Sequence, residues 1–384
     1  MHDFASKLPN TATSIFTYMS RLALQHEAIN LSQGFPDFDC SPRLIALVEQ
    51  YLHAGHNQYA PMAGVRALRE QISMKVAATL GVTYDVETEI TVTAGATQAL
   101  FTVIAALIRP GDEVILFEPA YDAYAPAVQV FGGIPKPVTL YASDFEIDWD
   151  AVTALLTPRT RLVVINSPNN PTARTMTDTD YRQLIRIIRD TDCYVLSDEV
   201  YEHIVYEEAK HHSAAQYEAL RRRTFVVASF GKLYHTTGWK VGYCLAPMEL
   251  TNEFRKVHQF NVFSVNTPIQ YALADFMMDA EEYLRLSRFF QKKRDFLITA
   301  LRETGFRPLP CHGTYFLVAD YSAISDLPER IFCEILTKQY GVATIPIAAF
   351  YHQEINQHLI RICFAKRELT LQQAAARLKS VSPF

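Results

Sequence analysis

Two rhythms of apolar residues alternate through the first 250 positions. Short, nearly continuous apolar runs rich in Val, Ile and Phe read as strands buried on both faces. The longer segments between them repeat apolar residues every three or four positions and read as amphipathic helices. The pattern predicts strands at 89–93, 113–117, 135–140, 161–166, 193–197, 225–229 and 241–246. It predicts helices at 13–25, 42–54, 65–80, 97–108, 121–131, 149–156 and 178–191. Such alternation specifies an α/β fold with a mostly parallel sheet between two helical layers. Past Leu250 the pattern turns helical (251–259, 268–278 and a long amphipathic stretch at 281–304). It then mixes strands at 313–319, 342–346 and 359–364 with helices at 329–340 and 369–378. The expected division is an N-terminal segment, 1–40, packing with a small α+β domain, 281–384, around a large domain, 41–280.

Sites on parallel sheets form at the carboxyl ends of the strands. Gly95-Ala96-Thr97, Asn169-Asn170, Asp198 and Lys232 all lie just after a predicted strand, so one shared site is expected. In Ser229–Gly242, Lys232 follows Gly231, which allows close backbone approach. A lysine partly desolvated there loses basicity and becomes nucleophilic toward aldehydes, as a Schiff-base lysine must. Taken alone, the stretch reads more readily as a surface loop, and Asp198 more readily as a helix N-cap. Taken together, Asp198, Tyr201 and Lys232 supply a carboxylate, a phenol and an amine. Pyridoxal phosphate uses that set to hold its ring nitrogen, its O3′ and its aldehyde carbon. Its phosphate needs backbone N–H groups at a helix start, hydroxyls and a cation. Gly95, Ala96, Thr97, Ser229 and Lys240 offer these.

Composition narrows the partners. The chain has 384 residues, 49% hydrophobic and 20% charged, with a net charge of −5. Nothing in that balance points to nucleic acid or an anionic membrane. Six separated cysteines without a CxxC pair suggest a reducing, cytoplasmic setting, and the twelve histidines show no metal-ligand spacing. His211-His212 reads as solvated surface, and Asp37 as a cap or turn residue. No apolar segment is long enough to span a bilayer. No G-x-G-x-x-G follows a strand, which argues against a dinucleotide-binding dehydrogenase.

Several phrases, in order, carry a family resemblance: Asn-Leu-Ser-Gln-Gly-Phe-Pro-Asp-Phe from Asn30, Gln-Tyr-Ala-Pro from Gln58, and Thr-Ala-Gly-Ala-Thr-Gln-Ala-Leu from Thr93. Further on come Ser-Pro-Asn-Asn-Pro-Thr, Ser-Asp-Glu-Val-Tyr, Ser-Phe-Gly-Lys, Gly-Trp-Lys-Val-Gly-Tyr and Ile-Arg-Ile-Cys-Phe-Ala-Lys. The sequence resembles class I pyridoxal-phosphate aminotransferases of fold type I, nearest in likeness to bacterial methionine aminotransferases and the kynurenine aminotransferase (glutamine transaminase K) branch. That resemblance implies a seven-stranded sheet and a ping-pong transfer of an α-amino group to a 2-oxo acid. It implies Lys232 as the Schiff-base lysine and proton carrier, Asp198 as the partner of the ring nitrogen, and Asn170 and Tyr201 as ligands of O3′. It also implies Tyr121 stacked on the ring, with Ala96, Thr97, Ser229 and Lys240 around the phosphate. Tyr59 is implied to reach the phosphate of a neighbouring subunit, making a homodimer with shared sites. Arg361 and the backbone of Gly34 are implied to hold the substrate α-carboxylate.

Two departures stand out. Ala173 replaces the glycine usual after Asn-Pro-Thr, and since alanine should avoid glycine-specific dihedrals, that turn is expected to differ. Ser264 replaces a histidine of the kynurenine-processing relatives, which argues against kynurenine as the main substrate. No second arginine for a distal carboxylate can be matched. Phe16, Tyr18, Phe35, Phe38, Phe260 and Phe263 instead suggest an apolar, thioether or aromatic side-chain pocket, with methionine favoured; core packing is the other reading of each. A cysteine-S-conjugate β-lyase or kynurenine aminotransferase on the same site, and a degenerate aminotransferase-like binding module, are the competing functions.

Overall fold

The computed structural model describes residues 5–9, 11–207 and 209–384. A seven-stranded sheet runs through its middle. In spatial order the strands are Ile90–Thr93, Gly242–Leu245, Thr224–Ser229, Tyr194–Asp198, Thr160–Asn166, Glu113–Glu118 and Ile134–Thr139. Gly242–Leu245 is antiparallel to both neighbours, and the remaining pairings are parallel. Side chains alternate between the two faces of each strand and build two cores. Leu162, Val164, Leu196, Phe225 and Val227 join one core beneath Ala96–Leu107, Tyr124–Val130 and Met248–Asn261. Val163, Ile165, Val195 and Val226 join the other, with Ile72, Val76, Tyr181 and Leu184 from the opposite helical layer.

The pairing register places Thr93 opposite Gly242, Gly242 opposite Ser229, and Asn166 opposite Asp198. The parallel strands therefore end along one edge, and the site-bearing loops leave from it. Gly242 is fixed by this geometry. A Cβ there would lie 2.6 Å from the Ala228 carbonyl and 2.9 Å from the Ala96 nitrogen, both backbone atoms that cannot step aside.

A four-stranded antiparallel sheet forms farther on, in the order Ile345–Pro346, Leu359–Cys363, Phe316–Asp320 and Arg307–Pro308. Near the N-terminus, Ile29–Asn30 pairs in parallel with Val342–Ala343. From there the segment 32–38 crosses the edge of the main sheet. Asp37 is a cap, as expected, but for a remote helix: it accepts from the Arg367 N–H and the Thr370 hydroxyl at the start of Glu368–Lys379.

Several expectations need correction. The stretch at 281–304 is two helices, Glu281–Leu284 and Leu286–Leu301, joined at Arg285 (φ −72, ψ −14). The change of twist there lets Tyr283 pack on His203 while Leu286 and Phe290 enter the core. The strand expected at 342–346 divides at Thr344 into halves belonging to different sheets. The helix at 121–131 begins only at Tyr124. Ala173 does occupy the left-handed region, at φ 61, so the turn keeps a glycine-like backbone. That conformation costs an L-residue about 1–2 kcal/mol, and the Ala173 carbonyl is pinned there by the N–H groups of His312 and Gly313. The His211 side chain is largely shielded rather than solvated: its Nε2 lies 2.9 Å from Glu199, whose other carboxylate oxygen accepts from Ser197, Ser213 and Ala214. Sequence neighbours of a histidine do not reveal a buried partner that the fold supplies from twelve positions away.

Candidate active site

The loops at the strand edge form one cavity, and Gly95, Ala96, Thr97, Tyr121, Asn170, Asp198, Tyr201, Ser229, Lys232 and Lys240 all line it. One end of this cavity is made of backbone. Gly95 (φ 80) turns the chain from the strand Ile90–Thr93 into the helix Ala96–Leu107. A helix start leaves N–H groups without intrahelical partners and carries a partial positive charge. Lys240, itself at φ 55, brings its Nζ to 3.4 Å from where a Cβ on Gly95 would sit. Two independent sources of positive potential thus meet beside Ser229.

The floor holds Asp198. No helix follows it, so it is not an N-cap. Its Oδ1 accepts from the Val200 N–H at 3.3 Å, and its Oδ2 accepts from the Tyr124 hydroxyl at 2.6 Å. Burial pushes its carboxyl up to about 6, against the pull of the Tyr124 hydrogen bond and of Lys232. A carboxylate held so dry is best satisfied by a cationic N–H partner in the cavity.

Lys232 lies in a short helix, Phe230–Leu233, rather than in an open loop. A Cβ on Gly231 would meet the Thr237 Cα at 3.0 Å, which is the close approach expected of that glycine. The Lys232 Nζ donates to the Tyr315 hydroxyl at 2.8 Å and to the Gly34 carbonyl at 3.2 Å. Burial pushes its amine down to about 8. It can therefore be neutral or charged near physiological pH, which a lysine that both attacks and carries protons requires.

Arg361 sits within the strand Leu359–Cys363 and is buried. Its Nη1 donates to Asn170 Oδ1 at 2.7 Å and its Nη2 to the Ser32 carbonyl at 2.8 Å. Rings of Phe16, Phe316 and Phe350 surround the guanidinium at 5.1, 4.0 and 5.3 Å. The buried Nε has no partner. Burial draws the group down to about 10. Among the described residues no carboxylate forms a salt bridge with it, and Asp122 acts on it only through space, so the planar cation is free to receive a substrate carboxylate.

The aromatic set separates. Only Phe16 stands against Arg361. Tyr18 bonds Glu334, and Phe38 packs on His235 and Phe289. Phe35 is half-exposed over Lys366. Phe260 is 87% exposed. Phe263, 47% exposed, meets Tyr59, 83% exposed, edge to face at 5.5 Å. Within one chain, neither Tyr59 nor Phe263 lines the cavity. The sequence reading also missed Tyr124, Tyr315, Phe316 and Phe350. Tyr124 carried a usable signal, a second tyrosine three residues beyond Tyr121, and it opens the helix Tyr124–Val130 with its ring edge-on to Tyr121 at 5.7 Å. The others reach the site through long-range pairing and carried none. Among the described residues, no helix is long and apolar enough to cross a membrane, and no group of His, Cys, Asp and Glu is arranged to hold a metal.

The chain belongs to the class I and II aminotransferases, whose family model matches residues 26–378. It is 51% identical over 377 residues to the methionine aminotransferase of Escherichia coli, covering 98% of each chain. The solved structure of Escherichia coli YbdL, whose crystal structure and reactivity identify a methionine aminotransferase function, superposes with a TM-score of 0.97 at 51% identity, covering 98% of this chain and 99% of that one. The kynurenine–oxoglutarate transaminase of Dictyostelium discoideum is 33% identical over 402 residues, covering 94% of this chain and 92% of that protein. This chain is accordingly an enzyme, an aminotransferase dependent on pyridoxal 5′-phosphate. The cavity fits that cofactor on its own chemistry: a helix start with Lys240 for a phosphate, a dry Asp198 lacking a cation, and a buried amine of lowered basicity.

Proposed function

We propose that the enzyme moves the α-amino group of an apolar, thioether or aromatic amino acid, with methionine favoured, to a 2-oxo acid. The observation that carries this reading is the setting of Arg361, a buried cation with no salt bridge among the described residues, walled by Phe16, Phe316 and Phe350. A carboxylate is wanted at the centre of that cage and apolar matter around it. The similarity to the Escherichia coli methionine aminotransferase supports the same choice.

In this reading, Gly95, Ala96, Thr97, Ser229 and Lys240 would hold the phosphate, and Tyr121 would pack against the ring. Asp198 would keep the ring nitrogen protonated, and Asn170 and Tyr201 would bind the ring hydroxyl. When bound, pyridoxal phosphate acts as an electron sink that acidifies the substrate Cα–H. Lys232 provides the covalent link and carries the proton at Cα, while Arg361 and Gly34 fix the substrate carboxylate. With purified enzyme and a panel of amino donors, methionine and phenylalanine should outpace aspartate by about tenfold or more in kcat/KM, since an apolar cage penalises an unpaired carboxylate. Aspartate outpacing methionine would sink the assignment.

Tyr59 and Phe263 belong to the same proposal as contributions to a second copy's site. Both form an aromatic pair on the surface, with Phe260 exposed on the same turn region. Sedimentation should give a homodimer of the 43.6 kDa chain; a monomer at micromolar concentration would remove these residues from the site.

A further inference from the structure

Tyr315 was not anticipated as a site residue, yet its hydroxyl joins the two groups that most need coordination. It accepts from the Lys232 Nζ at 2.8 Å and donates to the Gly34 carbonyl at 2.6 Å. The residue is 1% exposed. Its ring lies edge-on to Tyr201 at 5.2 Å and to Phe316 at 4.9 Å, and tilts on Phe290 at 5.5 Å. The Gly34 carbonyl receives a second hydrogen bond directly from the Lys232 Nζ, at 3.2 Å. One amine, one phenol and one peptide carbonyl therefore close a triangle over the crossing segment 32–38.

We propose that Tyr315 is a positioning residue for the free amine of Lys232, forming with the Gly34 carbonyl a dock that holds the amine whenever it is not covalently engaged. The inference rests on the reading of Lys232 as the covalent lysine. Amino transfer requires that amine to be free during every half-reaction, to take a proton from Cα and return it to a neighbouring carbon. A lysine side chain is long and rotamer-rich, and holding it within reach saves conformational entropy in the proton-transfer step. The proton arithmetic of the dock is one-sided. The Gly34 carbonyl can only accept. The phenol directs its single proton to that carbonyl or to the neighbouring Tyr201 hydroxyl, so toward the amine it too presents an acceptor lone pair. Both partners favour the charged amine over the neutral one. The dock therefore steadies the proton-bearing stage, while desolvation keeps release possible. The other groups facing the amine are Asp198, which favours its charge, Arg361 and Lys240, which oppose it, the Cys363 thiol, and the Tyr201 ring at 5.6 Å. None of these replaces an acceptor at 2.8 Å.

The test is Tyr315→Phe, which keeps the ring and removes only the hydroxyl. In the apoenzyme, the pH dependence of Lys232 labelling by an amine-reactive acylating reagent, read by peptide mass spectrometry, reports the amine's titration directly. Loss of a hydrogen bond to a charged group should shift that titration down by about one pH unit. In the holoenzyme, kcat should fall by about tenfold with KM for methionine little changed. The α-deuterium isotope effect should rise as proton transfer becomes slower, and the visible band of the resting enzyme should stay as in the wild type. Incorporating 3-fluorotyrosine at 315, which restores the hydroxyl, should return the Lys232 titration toward the wild-type value. An unchanged Lys232 titration in Y315F overturns the dock. So does a variant whose only change is a higher KM or a lower melting temperature. If labelling places the reactive amine elsewhere than Lys232 in the wild type, the underlying assignment fails instead, and the two failures are distinguishable.

Discussion

Replacing Lys232 with alanine should abolish amino transfer, lowering kcat by about 10⁵-fold or more, because under the proposed assignment the variant loses both its nucleophile and its proton carrier. The other amine lining the cavity among the described residues, Lys240, lies at the opposite end beside Gly95 and cannot take over. The purified variant should also lack the visible band of covalently held cofactor. A second consequence concerns the protein without cofactor. The Lys232 amine titrates at about 8 when folded, against 10.5 for an ordinary lysine. Between those values the unfolded chain binds more protons than the folded one, so this group makes stability rise with pH across that window. Below about pH 8 both states are protonated and its cost is constant. Thermal melts of apoprotein should show that rise, and K232A should flatten it. An equal slope in both proteins would mean that Lys232 is solvated.

Replacing Arg361 with alanine gives the second large effect, with a different signature. The guanidinium bonds Asn170 and Ser32, forms no salt bridge among the described residues, feels Asp122 only through space, and has an orphaned Nε among three phenylalanine rings. A substrate carboxylate would complete it. Losing a desolvated bidentate contact should raise KM for amino donors by about 100-fold or more, with cofactor still bound. Arg361→Lys should recover only part of this, since lysine keeps the charge without the planar fork. Release of cofactor by R361A, with donor KM unchanged, would move Arg361 from the substrate to the cofactor.

The parts of the molecule that were readable in advance share a physical cause. Strands buried on both faces, such as Leu162–Ile165 and Phe225–Ala228, leave no polar residue to blur their pattern, so the main sheet and its functional edge were visible. Lys232, Asp198, Asn170 and the Gly95 turn were legible because each follows such a strand. The second sheet was less so. Its strands are short, and the division at Thr344 depends on which neighbour each half finds. Tyr315 and Phe350 were invisible for a related reason. Tyr315 meets Gly34 across 281 positions of sequence, and nothing local to either residue announces the other. Ala173 shows the reverse case, where local preference was read correctly but tertiary hydrogen bonds to His312 and Gly313 override it.

The central claim is that Lys232 is the residue that binds the cofactor covalently. Borohydride reduction of the holoenzyme, followed by proteolysis and peptide mass spectrometry, tests it without relying on activity. The structure predicts one reduced cofactor adduct per chain, on the peptide bearing Lys232, and none in K232A. An adduct on Lys240 or any other lysine, or no adduct on a coloured and active enzyme, would contradict it.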